Sequence, residues 1–211
     1  NKELFKGLAM ERLEKDWRKH PVLHFNMADG KHLDEEGLVA YLGYQLLEWE
    51  RVYGKDEGAT SIETRMKAII RRAYEVTGEK VVVLIDEYDA PLLDVAHEDE
   101  DLPKLRKIMR NFYAPLKGAD PYIRFVFMTG ITKFSQLSIF SELNNILNIS
   151  MLDKYAGICG ITEEEMLTQM SEGINAIAEE LNLSREEAIE RLKNKYDGYH
   201  FSKKCPDIYN P

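Results

Sequence analysis

Two kinds of apolar pattern alternate along the chain and predict its secondary structure. Continuous apolar runs, typical of buried strands, occupy residues 22–26, 81–86 and 122–130, with a shorter candidate at 155–161. Apolar residues with helical spacing fill the segments between them, at 32–54, 60–77 and 102–117. Strands that alternate with helices imply crossover connections and a mainly parallel sheet. The pattern therefore predicts an α/β core over residues 1–160 and a small helical unit, the start of a second subdomain, over residues 161–211.

Several helix boundaries carry recognisable capping sequences. A Ser or Thr followed three residues later by Glu is typical of a capping box, in which each residue satisfies a backbone amide of the other. The chain has this spacing at Thr60–Glu63, Thr162–Glu165 and Ser184–Glu187. Gly78 follows the second long helical segment as its expected stop.

Composition and charge narrow the class of protein. With 44% apolar and 31% charged residues, the 211-residue chain is typical of a soluble globular protein, and we expect a cytoplasmic one. Its formal charge of −9 argues against broad electrostatic binding to nucleic acid or to an anionic membrane. No apolar run approaches the roughly 18 residues of a membrane helix, so no membrane partner is expected. The two cysteines, Cys159 and Cys205, favour a reduced protein without a disulfide.

Polar side chains that suit nucleotide chemistry follow two of the predicted strands. Asp86 and Glu87 come directly after the run at 81–85, and Thr129 ends the run at 122–130, with Thr132 and Lys133 just beyond it. Ligands of open α/β sheets bind outside the carboxyl ends of the strands. This layout resembles that of a phosphate-loop ATPase of the AAA/STAND type. We expect Asp86 to orient Mg²⁺, Glu87 to polarise the attacking water and Thr129 to sense it, with Lys133 and Thr132 as candidates for phosphate contact.

Two other readings of the acidic pair stay open on the residues alone. The carboxylates can simply cap the turn after a strand, or meet a lysine. Alternatively, Asp86, Asp89 and Asp94 can assemble a nuclease metal site, because carboxylates suit Mg²⁺.

Longer motifs carry a resemblance to a known family. They are "VVVLIDEYDAPL", "FVFMTGITKFSQLSIFSELNNILNISM", "YAGICGITEEEM" and "YDGYHFS…IYNP". With them the chain resembles the AAA-ATPase-like domain family of bacterial proteins, whose members often continue into a nuclease-like domain of the PD-(D/E)xK type. The resemblance implies a P-loop NTPase-type three-layer sandwich, with Asp86 and Glu87 as the Walker B pair and Thr129 at the sensor position. It also implies ATP and Mg²⁺ as ligands of the intact protein.

One expected motif is absent from the sequence. No G-x-x-x-x-G-K-[ST] occurs, so the amides and the lysine that would hold the phosphates are missing. We therefore expect a fragment that begins just after the Walker A loop and is inactive alone. Its sheet should be incomplete, with unpaired backbone groups along the strand at 123–129. The alternative function is a non-catalytic regulatory or binding module that recognises a protein or nucleic-acid partner.

Overall fold

A computed structural model describes residues 2–29, 34–93, 101–131, 145–196, 198, 200–202, 205 and 208–209. The chain divides into two compact units, Asn1–Ile146 and Leu147–Pro211, which are treated separately below. The division between these units comes after Ile146, earlier in the chain than the subdomain boundary predicted at 160/161. The predicted limits of the subdomains stay a prediction.

The first unit is built on a parallel sheet. Its strands are β1 (Val22–Asn26), β2 (Val81–Asp86) and β3 (Ile123–Met128), in the spatial order β1-β2-β3. The apolar runs predicted all three strands, and the predicted α/β class with a parallel sheet is confirmed. Asn26 pairs with Asp86, and Ile85 pairs with Met128. This register brings the carboxyl ends of the strands to one edge of the sheet.

Strand β3 lies at the edge of the sheet in the described part of the chain. There it pairs with β2 alone, so the backbone groups on its other side have no strand partner. Such an edge was expected for this strand. Edge strands are usually protected by charged residues, proline or bulges. Here, however, an aromatic side chain lies at the surface: Phe125 is 53% exposed and stacks on Phe127, with ring centroids 6.1 Å apart.

Three long helices cover one face of the sheet. They are α2 (Glu35–Tyr53), α3 (Ile62–Thr77) and α5 (Leu102–Tyr113), and the shorter α1 (Ala9–Leu13), α4 (Ala90–Leu93) and α6 (Pro115–Gly118) belong to the same unit. The residues that alternate toward these helices form one apolar core. Its fully buried members from the sheet include Leu23, Phe25, Val81, Val83 and Ile85, and from the helices Leu42, Leu46, Ile69, Ile70 and Phe112. None of the described helices combines the length and apolar character needed to cross a membrane.

The opposite face of the sheet is more exposed. Val22 is 41% exposed, and the neighbouring positions along the same face are half-buried or exposed. These positions are His24, Val82, Leu84, Phe125 and Phe127. The described residues therefore form two layers, helices on sheet, of the three-layer sandwich that the sequence led us to expect.

A buried ion pair joins α2 to α3. The guanidinium of Arg65 meets the carboxylate of Glu50 through two bonds, Nε to Oε1 at 2.7 Å and Nη2 to Oε2 at 2.9 Å. Arg65 Nη2 also donates to the carbonyl of Gly43 at 3.0 Å. The side chain of Glu50 is only 5% exposed, so the pair is desolvated as well as bidentate. Helical spacing alone did not distinguish Glu50 from the exposed acids of α2.

The capping boxes are confirmed at two helices and wrong at one. Thr162 and Glu165, and likewise Ser184 and Glu187, exchange side-chain and backbone hydrogen bonds as predicted. At α3 the box is shifted by one residue from the predicted Thr60–Glu63. Ser61 takes the extended N-cap conformation and accepts from the amide of Thr64, whose hydroxyl accepts from the Ser61 amide in return. The threonine hydroxyl thus replaces the glutamate that the sequence pattern favoured.

The second unit is helical with a small antiparallel ladder. It contains α7 (Glu163–Gln169), α8 (Ser171–Glu180) and α9 (Arg185–Tyr196), with β4 (Ile161–Thr162) paired to β5 (Ile208–Tyr209). The candidate strand at 155–161 is wrong apart from its last residue. Most of that segment is bends and turns. Its end at Gly160 has a φ of 79° and packs so closely on Ile208 that a Cβ would not fit. Cys159 and Cys205 are free thiols.

Candidate functional site

The register of the sheet places Asp86 beside Thr129. The parallel ladder continues one step past β3, where the amide of Thr129 donates to the carbonyl of Ile85 at 2.9 Å. The Thr129 hydroxyl then donates to Oδ1 of Asp86. Two residues that lie 43 positions apart in sequence, and that were predicted to share a site, are therefore in direct contact.

Glu87 follows Asp86 in a backbone conformation that is unusual for a side-chain-bearing residue. Its φ is 50°, in the left-handed region, whereas Asp86 closes an extended strand. The amide of Glu87 donates to Asp86 Oδ1 at 3.1 Å, and its carbonyl accepts from the amide of Ala90 at 2.9 Å. The chain thus turns sharply at the strand end. We call residues 86–89 the acid turn.

The carboxylates of Asp86 and Glu87 keep most of their acceptor capacity within the described residues. Asp86 Oδ1 serves the turn and Thr129, but Oδ2 accepts no hydrogen bond within the described residues, and neither do the side-chain oxygens of Glu87. Neither acid forms an ion pair there. One oxygen of Asp86 therefore caps the turn, as the first alternative interpretation predicts. The other possibility, that an acid pairs with a lysine, is not seen among the described residues.

A second set of contacts ties the acid turn to the segment after β3. We call residues 129–131 the Thr129 loop. The amide of Tyr88 donates to the carbonyl of Thr129 at 2.9 Å, and the amide of Ile131 donates to Oδ1 of Asp89 at 3.2 Å. Between them, a Cβ on Gly130 would lie 2.5 Å from both Asp89 Oδ1 and the Tyr88 ring. Glycine is thus the residue that lets the two segments approach.

A buried tyrosine supports the acid turn from α5. Tyr113 is fully buried, and its hydroxyl donates to the carbonyl of Tyr88 at 3.0 Å. Burial, with smaller contributions from Asp89 and Tyr88, raises the pKa of Tyr113 well above its usual range, so the hydroxyl remains a donor. Tyr88, Tyr113 and Gly130 were not predicted as site residues. In the sequence they look like ordinary aromatic core positions and a glycine after a strand.

The remaining predicted site residues are not placed. Thr132 and Lys133 lie outside the described residues, as does Asp94 of the nuclease alternative. Asp89, another residue of the predicted nuclease metal site, is fully buried. Among the described positions, no group of three or more metal-ligating side chains could hold a metal ion. The nuclease alternative therefore has no support from this part of the chain.

The donor set of the acid turn fits a magnesium ion. Carboxylate oxygens are the ligands Mg²⁺ prefers, usually one or two together with water and substrate phosphates. Asp86 is exposed and Glu87 half-exposed, which leaves room for such waters. Two surface depressions of about 430 and 530 Å³ lie elsewhere, on α8 and at the start of α2, and include neither acid nor Thr129. Neither of these two depressions therefore supplies a phosphate-binding surface beside the acids.

Comparison with known proteins identifies the family. A sequence model of the AAA-ATPase-like family, described as a predicted AAA-ATPase, matches residues 1–140. The chain belongs to the AAA-ATPase-like family. A relative described as an uncharacterized protein in the vnfD 5' region of Azotobacter chroococcum mcd 1 is 35% identical over 214 residues, covering 100% of this chain. The chain spans 39% of the length of that relative. No solved structure matches significantly.

Proposed function

We propose that this AAA-ATPase-like chain supplies the metal- and water-binding half of an ATP-hydrolysing site. The observation that carries the proposal is the meeting of Asp86, Glu87 and Thr129 at the carboxyl ends of two neighbouring parallel strands. Side-chain oxygens of both acids lie there without an ion pair among the described residues. Such unpaired, adjacent carboxylates at a ligand-binding edge suit a cation and a water better than a purely structural role.

The three residues have different roles in this proposal. Bound Mg²⁺ neutralises charge on the phosphate oxygens of the substrate. Asp86 would hold the ion with its carboxylate, which the hydroxyl of Thr129 orients by donating to Oδ1. Glu87 accepts a hydrogen bond from the attacking water and takes up its proton as a general base. The left-handed φ of Glu87 ends the extended conformation of β2, and sparsely populated backbone conformations of this kind cluster at functional sites.

The phosphate-binding loop is proposed to come from a segment outside these 211 residues. The outer edge of β3 supports this proposal, because a further parallel strand can pair there and end beside Thr129. Backbone amides of the loop would then face the acid turn. Thr132 and Lys133 remain proposed phosphate contacts, on their position in the sequence.

The decisive experiment compares glutamate-to-glutamine variants in the full-length protein. Glu87→Gln should bind Mg·ATP like the wild type in calorimetry, but its rate of phosphate release should fall by at least ~100-fold, because general base catalysis typically contributes that much. Glu75→Gln, an exposed position on α3, is the matched control and should leave both unchanged. Undiminished hydrolysis in Glu87→Gln would remove Glu87 from its role.

The same measurements test the second candidate function. The absence of a phosphate loop from the sequence favours a non-catalytic module that recognises a protein or nucleic-acid partner. A wild-type, full-length protein that neither binds nor hydrolyses Mg·ATP would support that module and end the ATPase proposal.

A further inference from the structure

Asp89 is a fully buried carboxylate that the catalytic roles above do not use. It ends the acid turn three residues after Asp86, and its carbonyl accepts the first hydrogen bonds of α4, from the amides of Leu92 and Leu93 at 2.9 and 3.1 Å. Burying a carboxylate costs free energy unless strong hydrogen bonds compensate. One hydrogen bond to the Asp89 carboxylate comes from the Thr129 loop, where the backbone amide of Ile131 donates to Oδ1.

The contacts on either side of Gly130 fix the Thr129 loop. The carbonyl of Thr129 accepts from Tyr88, and two residues later the amide of Ile131 reaches Asp89. Both partners belong to the acid turn. Because Gly130 has no Cβ, the loop can approach the turn closely enough for both bonds to form.

These contacts matter because of the position of β3. In the described chain this strand has a strand neighbour on one side only, so the Thr129 loop lacks a sheet contact on its outer side. Beyond the ladder bond from the Thr129 amide to the carbonyl of Ile85, the described hydrogen bonds that hold the loop join it to the acid turn. Among these, the bond from the Ile131 amide to Asp89 Oδ1, at 3.2 Å, is the one that holds the far end of the loop.

We propose that Asp89 is a positioning residue, whose buried carboxylate holds the Thr129 loop on the acid turn and so keeps the Thr129 hydroxyl against Asp86. Asp89 touches neither nucleotide nor metal in this arrangement. Its effect on hydrolysis rests on the proposed function, whereas its effect on the loop does not.

Hydrogen exchange tests the effect on the loop directly. In the full-length protein, read at residue resolution by mass spectrometry, Asp89→Ala should accelerate exchange of the Ile131 and Tyr88 amides about tenfold or more, as expected when a hydrogen bond to a charged acceptor is lost. Asp89→Asn keeps an acceptor oxygen in place and should produce a clearly smaller increase. The control, Asp120→Ala, removes a carboxylate that binds Asn145 near the other end of β3, and should leave both amides unchanged.

A second variant covers the case in which Asp89→Ala does not fold. Gly130→Ala leaves the carboxylate intact but places a Cβ 2.5 Å from Asp89 Oδ1, which forces the loop and the turn apart. It should accelerate exchange at Ile131 as Asp89→Ala does. Wild-type exchange at Ile131 in Gly130→Ala, or in a folded Asp89→Ala, overturns the proposal.

Turnover provides the readout that separates positioning from general destabilisation. The kcat is normalised to the fraction of protein that binds Mg·ATP. This normalised kcat should fall about tenfold or more in Asp89→Ala and should largely recover in Asp89→Asn. Nucleotide affinity should change by no more than about threefold in either variant. An unchanged normalised kcat beside faster exchange refutes the link to Thr129. If the wild type shows no hydrolysis at all, the proposed function fails, and the exchange data still decide whether Asp89 positions the loop.

Discussion

Replacing Glu50 with alanine should destabilise the protein far more than its place on a solvent-facing helix would suggest. The variant removes both bonds to Arg65, at 2.7 and 2.9 Å, and leaves a guanidinium whose side chain is only 18% exposed. The carbonyl of Gly43 is the acceptor that remains for Arg65. The change therefore isolates a largely buried charge between α2 and α3.

The magnitude follows from this geometry. Truncating one partner of a buried ion pair costs about 3–5 kcal/mol, mostly because the other charge is left uncompensated. Since Arg65 keeps one carbonyl and some contact with solvent, we expect the lower end, about 3 kcal/mol of unfolding free energy. In a protein of this size each kcal/mol lowers Tm by about 2–4 °C, so the expected shift is about 6–12 °C.

Urea unfolding followed by far-ultraviolet circular dichroism measures the effect. The matched control is Glu48→Ala, which breaks an exposed ion pair with Arg51 on the same helix and should cost no more than about 0.5 kcal/mol. Replacing both Glu50 and Arg65 with leucine should cost less than Glu50→Ala, because no buried charge is then left alone. A Glu50→Ala cost below about 1 kcal/mol, or one equal to that of the control, would refute the reasoning.

Two further predictions test the helix cap and the buried tyrosine. Ser61→Ala should lower the unfolding free energy by about 1 kcal/mol, because Ser61 caps α3. The control, Thr60→Ala, should change it by no more than about 0.5 kcal/mol. Equal costs of the two variants in urea unfolding would contradict the shifted cap. Because the pKa of Tyr113 is raised in the folded state and unfolded tyrosine ionises near about 10, the stability from Tyr113 is fully present below that pH and is lost as pH rises above it. Tyr113→Phe should therefore show a shallower loss of stability than the wild type between pH 9 and 11 in urea unfolding, and identical slopes would contradict the raised pKa.

Much of the first unit could be predicted from the sequence because its signals are local. An uninterrupted apolar run reports that a strand is buried, and the acids at its end lie at the ligand-binding edge of any parallel sheet. For this reason the strands β1, β2 and β3 are confirmed, and Asp86 and Thr129 lie in contact at the ends of neighbouring strands. Their roles in a nucleotide site stay predictions.

Other features depend on spatial neighbours and left no local signal. Whether Glu50 lies in solvent or against Arg65 depends on how α2 packs on α3, which helical spacing does not specify. Ser61 rather than Thr60 caps α3 because the backbone becomes extended there. The segment at 155–161 is apolar, yet most of it forms turns, and Gly160 within it packs against Ile208 from a distant part of the chain.

The sequence by itself determined that this is an α/β protein with two adjacent acids at the end of a buried strand, because period and composition act over a few residues. The tertiary structure decided that Thr129 touches Asp86, that Asp89 is buried under the Thr129 loop, and that one face of the described sheet is half-buried or exposed. These are consequences of register and packing between segments 40 or more positions apart. Hydrogen bonds across that distance depend on the whole arrangement of strands, which no short stretch of residues encodes.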